Sequence, residues 1–222
     1  MLIPIALPIC YAFLLKGERP ALVDTGRPQD FAAIENALRE HGVALDDLPL
    51  ILHTHGHWDH CGSTAQLRQH TRARIAIHAA DAPMMRCGNN GTLRPTSLLA
   101  RLFKPILDRT CPGAEPDFLI EDEIDLAEFG VPAQVIFTPG HTAGSISVLT
   151  REGDAVVGDL VMGGYFGGWL RPHQPGLHYF ADNLDLLRAS IRKLLALAPR
   201  KIYPAHGGPL DPADVARWVE TI

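Results

Sequence analysis

The ten residues ILHTHGHWDH, positions 51–60, constrain this chain more than any other stretch. An apolar run ends at Leu52, and the next eight positions hold four histidines and an aspartate. An apolar run that stops so abruptly reads as a buried strand, so the fold must deliver these imidazoles from a strand end onto a loop. In an extended segment alternate residues point the same way, which lets His55, His57 and Asp59 converge. His60 swings to the other side as the chain turns into a helix expected to start near Gly62. The outcome is two ligand groups facing two adjacent metals. Neutral imidazoles with a carboxylate are the donor set that borderline metals such as zinc prefer. His53 precedes the loop on the strand and reads as a packed neighbour.

Three later segments repeat the arrangement of a buried strand followed by glycine and a ligand-type residue. FTPGHTAGS places His141 after a strand and a Pro-Gly turn, AVVGDLVMGG places Asp159 at a strand end, and IYPAHGGP places His206 likewise. Rigid strands can hold side chains on such loops to the tolerance a metal needs.

Strand-like runs at 11–15, 20–24, 48–53, 74–78, 133–137, 145–149, 154–158 and 200–204 alternate with amphipathic segments at 30–41 and 183–197. A last helix opens with Asp211 as its cap and Pro212 in its first turn. No linker or repeat divides the 222 residues, so one domain spanning 1–222 is expected. Residues 1–15 are uncharged but lack a basic leader and contain Pro4 and Pro8, and they read as a pair of buried strands rather than a signal peptide. Net charge is −5, with four lysines and no basic cluster, which argues against nucleic acid or an anionic membrane as partner. The four cysteines form no C-x-x-C pair, which fits reduced thiols and a cytoplasmic location.

Residues 81–117 stand apart as a helical insertion between strands. Leu98, Leu99, Leu102, Phe103 and Ile106 recur there at helical spacing. Two readings stay open: the stripe packs onto the body, or one end overhangs the metals as a lid. In the second reading Trp58, Phe103, Tyr165 and Trp169 line an apolar substrate pocket, and Met84 and Met85 lend the lid adaptability.

Taken in order, LVDTG at 22–26, then T-H-x-H-x-D-H, PGHT, GD and HGG, the motifs resemble the metallo-β-lactamase superfamily, in its glyoxalase II-like and lactonase-like branches. The resemblance implies an α/β fold, a four-layer αββα sandwich with metals at one edge. It implies that His55, His57 and His141 hold the first metal, that Asp59, His60 and His206 hold the second, and that Asp159 bridges them. Two zinc ions are expected, with iron or manganese as substitutes, and Asp24 is expected to orient the ligand loop. Two divalent ions offset by Asp59, Asp159 and a bridging hydroxide leave one net positive charge for a developing oxyanion. The activity so implied is hydrolysis of an ester, thioester or lactone bond in a small molecule, with Asp59 also orienting the nucleophile's proton. A mononuclear iron sulfur dioxygenase on the same scaffold is the alternative, and β-lactam hydrolysis at most a side activity. Met162 stands three residues after Asp159, where acyl-homoserine lactonases place a tyrosine. His173 and His178, in the loop after Asp159, are within reach of a substrate.

Overall fold

A computed structural model describes residues 1–222. The first sheet has six strands in spatial order: β1 (Leu2–Ala6), β2 (Tyr11–Leu15), β3 (Ala21–Val23), β4 (Leu50–Leu52), β5 (Arg74–His78) and β6 (Phe118–Ile120). Strands β1 to β3 pair antiparallel, and β3 to β6 run parallel. The second sheet begins with β7 (Ile124–Asp125), β8 (Ala133–Phe137), β9 (Ile146–Thr150) and β10 (Asp154–Gly158). A separate hairpin of β11 (Met162–Tyr165) and β12 (Leu170–Gly176) follows. Strand β13 (Lys201–Pro204) then returns parallel to β10 and closes the second sheet in the order β13-β10-β9-β8-β7.

Helices α1 (Phe31–Glu40), α2 (Trp58–Cys61), α3 (Thr64–Leu67), α4 (Ala82–Cys87) and α5 (Leu98–Leu107) lie between strands of the first sheet, and α6 (Leu184–Ala196) and α7 (Pro212–Val219) flank β13. Period-two alternation builds the layers. Phe13, Val23, Leu50 and Leu52 face the second sheet and meet Val135, Val148 and Val156. Their neighbours Leu14, Leu22, Ile51 and Ile75 point outward and pack with Ile34 and Leu38 of α1. On the far side Leu149, Ala155 and Val157 pack with Leu187 and Ile191 of α6 and Val215 of α7. Helix α6 begins where Asn183 Oδ1 accepts from Asp185 N and Leu186 N, both at 3.0 Å. The result is an αββα sandwich with three apolar interlayers.

Three sequence expectations need correction. Of β1 only Ile5 is buried, because that strand is the outer edge of its sheet. Helix α2 starts at Trp58, not near Gly62, so Asp59 and His60 sit on its first turn. The apolar stripe of α5 packs onto the body only at Phe103: Leu98, Leu102 and Ile106 are 78%, 73% and 57% exposed. The inward face of α5 is Ala100 and Leu107, clustered with Leu93, Tyr179 and Phe180, and Phe103, whose ring meets Tyr179 edge-on at 6.1 Å. Met85 is buried in the first sheet's outer core, and Met84 packs against Gly56.

Candidate metal centre

Every residue of the expected ligand set lies just beyond the C-terminal end of a strand: His55 and His57 on the loop after β4 with Asp59 and His60 on the first turn of α2, His141 after β8, Asp159 after β10 and His206 after β13. Because β4 belongs to one sheet and the other three strands to its partner, the loops meet at one edge of the sandwich.

The structure brings these side chains together in two groups. His57 Nδ1 lies 3.1 Å from His55 Nε2 and 3.0 Å from His141 Nε2. A tetrahedral ion about 2.0–2.1 Å from each nitrogen would hold them roughly 3.3 Å apart, so this triad is spaced as one ion requires. Asp59, His60 and His206 form the second group, with His206 Nε2 3.7 Å from Asp59 Oδ2. Asp159 touches both groups. Its Oδ2 is 3.5 Å from His141 Nε2 and 3.5 Å from His60 Nε2, and its Oδ1 is 3.5 Å from His206 Nε2. His60 Nε2, His206 Nε2 and Asp159 Oδ1 are buried without a hydrogen-bond partner. Buried polar atoms are normally satisfied, so three orphans converging on one point fit a site made for a cation.

The nitrogens turned away from the centre are fixed by the surrounding chain. His60 Nδ1 donates to Asp24 Oδ2 at 2.9 Å, His141 Nδ1 to Phe180 O at 2.9 Å, and His206 Nδ1 to Ile9 O at 2.7 Å. Thr54 Oγ1 donates to Asp24 Oδ2 at 2.7 Å and so accepts from His55 Nδ1 at 3.1 Å. Each contact leaves Nε2 free to ligate. Asp24, held at φ +61° after β3, also accepts from Thr54 N at 2.8 Å and so ties β3 to the ligand loop. Gly158 makes room for this hub, since a Cβ there would lie 2.6 Å from Thr54 Oγ1. His53 is buried between His60 O and Thr64 Oγ1, away from the centre.

Electrostatics separates the two groups. Burial pushes His57 down to about 4 and holds His55 and His141 well below the usual histidine range, so the first group is neutral and ready to ligate. Burial opposes a charge on His60 too, but Asp159 and Asp24 reverse it and raise that imidazole well above its ordinary value. His206 is raised in the same way, chiefly by Asp159. Burial would raise Asp159, yet His178, His206 and His60 outweigh it and hold the carboxyl well below the usual range.

A cavity of about 560 Å³ opens above the centre, with His57, Asp59, Asp159, His178 and His206 on its floor. Trp58, Phe103 and Ile106 line one wall, Phe166 and Trp169 another, and no lysine or arginine lines it. Tyr165 is not part of the lining; its neighbour Phe166, at φ +54°, turns into the cavity instead. Trp169 lines the mouth but is 85% exposed. His173 lies outside, donating to Pro209 O at 2.9 Å.

Three residues of the site carry no signal in the sequence strong enough to single them out. Asp81 is fully buried and accepts from Gly56 N at 2.9 Å, Gly144 N at 2.7 Å and Thr142 Oγ1 at 2.6 Å, joining the His55–His57 loop to the His141 loop. A Cβ on residue 144 would lie 2.6 Å from Asp81 Oδ1, which explains glycine there. Asn90 is buried and its Oδ1 accepts from Trp58 N at 3.0 Å. Cys10 Sγ donates to Asp59 O at 3.3 Å. His178, assigned only reach toward a substrate, places Nε2 3.2 Å from Asp159 Oδ2.

Comparison with known proteins agrees with this geometry. The chain is 28% identical over 200 residues to a probable metallo-hydrolase of Methanocaldococcus jannaschii, covering 88% of this chain and 86% of the relative. It is 29% identical over 229 residues to a hydroxyacylglutathione hydrolase of Anaeromyxobacter dehalogenans, covering 91% and 75% of the two chains. It superposes on TTHA1623, solved in a di-iron-bound form, with a TM-score of 0.66 and 28% identity over 97% of each chain. The family model of the metallo-beta-lactamase superfamily matches residues 7–206, a span that includes every candidate ligand, and the chain belongs to that superfamily.

Proposed function

We propose that this protein is a dinuclear-metal hydrolase that cleaves an ester, thioester or lactone bond in a small molecule with an apolar acyl part. The observation that carries this reading is the shared carboxylate: Asp159 lies 3.5 Å from ligand nitrogens of both groups. His55, His57 and His141 would hold one ion, Asp59, His60 and His206 the other, and Asp159 both. Bound divalent ions supply a Lewis acid for the acyl oxygen and hydroxide near neutral pH.

The chain's own residues do the rest. Asp59 reaches the centre from the first turn of α2, and its second carboxylate oxygen can take the nucleophile's proton. Trp58, Phe103 and Trp169 form an apolar seat, with Phe166 in the role first expected of Tyr165. The lining holds no lysine or arginine, so away from the metals it offers no cationic grip, and the favoured substrates carry no anionic group on the acyl part. Relatives that carry hydrolase names support the reaction class. Zinc suits the His-rich first group, and the di-iron form of TTHA1623 makes iron the chief alternative. Four free thiols support a reducing compartment, the cytoplasm.

Metal analysis of the purified protein beside a panel of esters, thioesters, lactones and phosphodiesters tests the proposal. Two ions per chain, with acyl hydrolysis lost on chelation and regained with zinc, is the expected result. One iron per chain with oxygen uptake on a persulfide would replace it with the sulfur dioxygenase reading. Chelation should also lower the melting temperature by several degrees, because metal binding is linked to folding.

A further inference from the structure

The loop between β12 and α6 brings a sixth imidazole to the centre, and its hydrogen bonds differ from those of four of the other five. His141, His60, His206 and His55 all donate from Nδ1 to the surrounding chain and turn Nε2 inward as the ligating atom. His178 is wired the other way. Its Nδ1 lies 3.3 Å from Phe180 N, a group that can only donate. The same Nδ1 lies 3.3 Å from Phe180 O, which accepts the shorter bond from His141 Nδ1 at 2.9 Å and can accept a second, so the Phe180 N–H decides the tautomer. Putting the proton on His178 Nδ1 would leave the Phe180 N–H facing another donor inside the protein. The network therefore assigns Nδ1 as acceptor and Nε2 as the N–H, aimed 3.2 Å from Asp159 Oδ2 at the cavity floor.

We propose that His178 is not a metal ligand but a neutral N–H donor that holds the substrate's acyl oxygen as it gains negative charge. This rests on the hydrolase reading above and adds to it a residue that the ligand motifs do not contain. Of the lining side chains, His178 combines a donor with direct contact to the carboxylate shared by both ligand groups. Asn90, the other conspicuous polar group in the lining, is occupied with Trp58 N and Arg109 O. His178 is also held in place before any substrate arrives. Thr96 Oγ1 donates to His178 O at 2.8 Å, and Thr96 N donates to Tyr179 O at 2.9 Å. The ring packs edge-on against His141 and is stacked on His206, with centroids 4.7 and 5.5 Å away. A fixed dipole aimed where charge develops needs no reorganisation during reaction, which is the condition for strong oxyanion stabilisation. In the resting site the Nε2–H donates to Asp159 Oδ2; the acyl oxygen would accept from it beside that carboxylate, which keeps its place between the two ligand groups. When the substrate enters, the N–H exchanges one acceptor for the other, and no proton is transferred.

Three measurements on the full-length, metal-loaded protein test this. Long-range proton–nitrogen NMR of the wild type should show the His178 proton on Nε2; a proton on Nδ1 with Nε2 bound to metal would overturn the proposal. His178→Ala should retain two metals with affinity within about threefold, while kcat on a neutral ester falls about 100- to 1000-fold, as for loss of one oxyanion donor. His178→Gln, whose amide N–H reaches toward the same point, should recover at least tenfold of that loss. A metal lost from His178→Ala, or a kcat within about threefold of wild type, sinks the donor role but leaves the hydrolase reading intact. A wild type inert toward the whole ester, thioester and lactone panel overturns that reading and the oxyanion role together.

Discussion

Replacing Asp81 by asparagine should loosen the metal centre without touching a ligand. The carboxylate has three donors: Gly56 N and Thr142 Oγ1 on Oδ2, and Gly144 N on Oδ1. Asparagine offers one oxygen and one NH₂. In its better orientation the oxygen keeps Gly56 and Thr142, and the NH₂ then faces the Gly144 N–H, 2.7 Å from the atom it replaces. One bond to a charged group is lost, about 1.5–3 kcal/mol, and the two survivors become neutral bonds of roughly half the strength. Removing a buried charge returns part of this, since burial raises the Asp81 carboxyl despite its three donors. A net loss on the order of 2 kcal/mol is expected from urea unfolding of the metal-free protein. Gly56 sits between His55 and His57, and Gly144 lies three residues past His141, so the first metal should bind roughly 10- to 100-fold more weakly in chelator competition. Thr142→Val, which removes a single donor, should have a smaller effect in the same direction. If Asp81→Asn kept both its stability and a metal affinity within threefold of wild type, the bridge between the two ligand loops would be incidental.

Other expectations follow from the same geometry. Asp159→Asn removes the charge shared by the two groups; metal analysis should find about one ion per chain, and turnover should fall at least 100-fold. Two tight ions with near-normal activity would refute the bridging role. Phe103→Ala opens one wall of the cavity, so KM should rise far more for esters with long or aromatic acyl groups than for acetyl esters. An equal change for both series would return Phe103 to a packing role with Tyr179. His60 and His206 are raised while His55, His57 and His141 are lowered, so an ion at the second group must compete with protons at higher pH than one at the first. As pH falls from 8 to 6, titration followed by metal analysis should show the second ion leaving before the first.

The sandwich and the convergence of its His- and Asp-bearing loops are legible because their signals are local. A buried strand announces itself by an apolar run, and Leu50–Leu52 followed by His53–His60 shows where the run becomes a site. What was hidden depends on direction. Helical spacing groups Leu98, Leu102, Phe103 and Ile106, but does not tell that Leu98 and Leu102 look outward while Phe103, Ile106 and Leu107 border the cavity. Tyr165 was misplaced because pairing in the β11–β12 hairpin shifts register between Gly163 and Tyr165, and the positive φ of Phe166 then reverses which side chain enters the cavity. Asp81 stands in HAADAP before a proline, where it reads as a helix cap. It makes no side-chain cap bond, and its three partners lie 25 to 63 positions away in sequence. No short-range pattern encodes such contacts.

These hidden residues change what the 81–117 segment is for. Its methionines do not line the cavity, and much of its apolar stripe faces away from it. Three of its polar side chains, however, grip the backbone of the site. Asp81 holds Gly56 and Gly144, Asn90 holds Trp58, and Thr96 holds the His178–Tyr179 segment. That last segment leads directly to Phe180, whose carbonyl sets the ring of His141 and whose N–H sets the ring of His178. Phe103 and Ile106 of the same segment form one wall of the cavity. A single stretch of chain thus fixes both the ligand loops and the wall that an acyl group would touch. Because the parts share one backbone, a substitution that reshapes the α5 wall is expected to disturb His141 and His178 through Thr96. Metal affinity and acyl preference in this protein should therefore vary together and not independently.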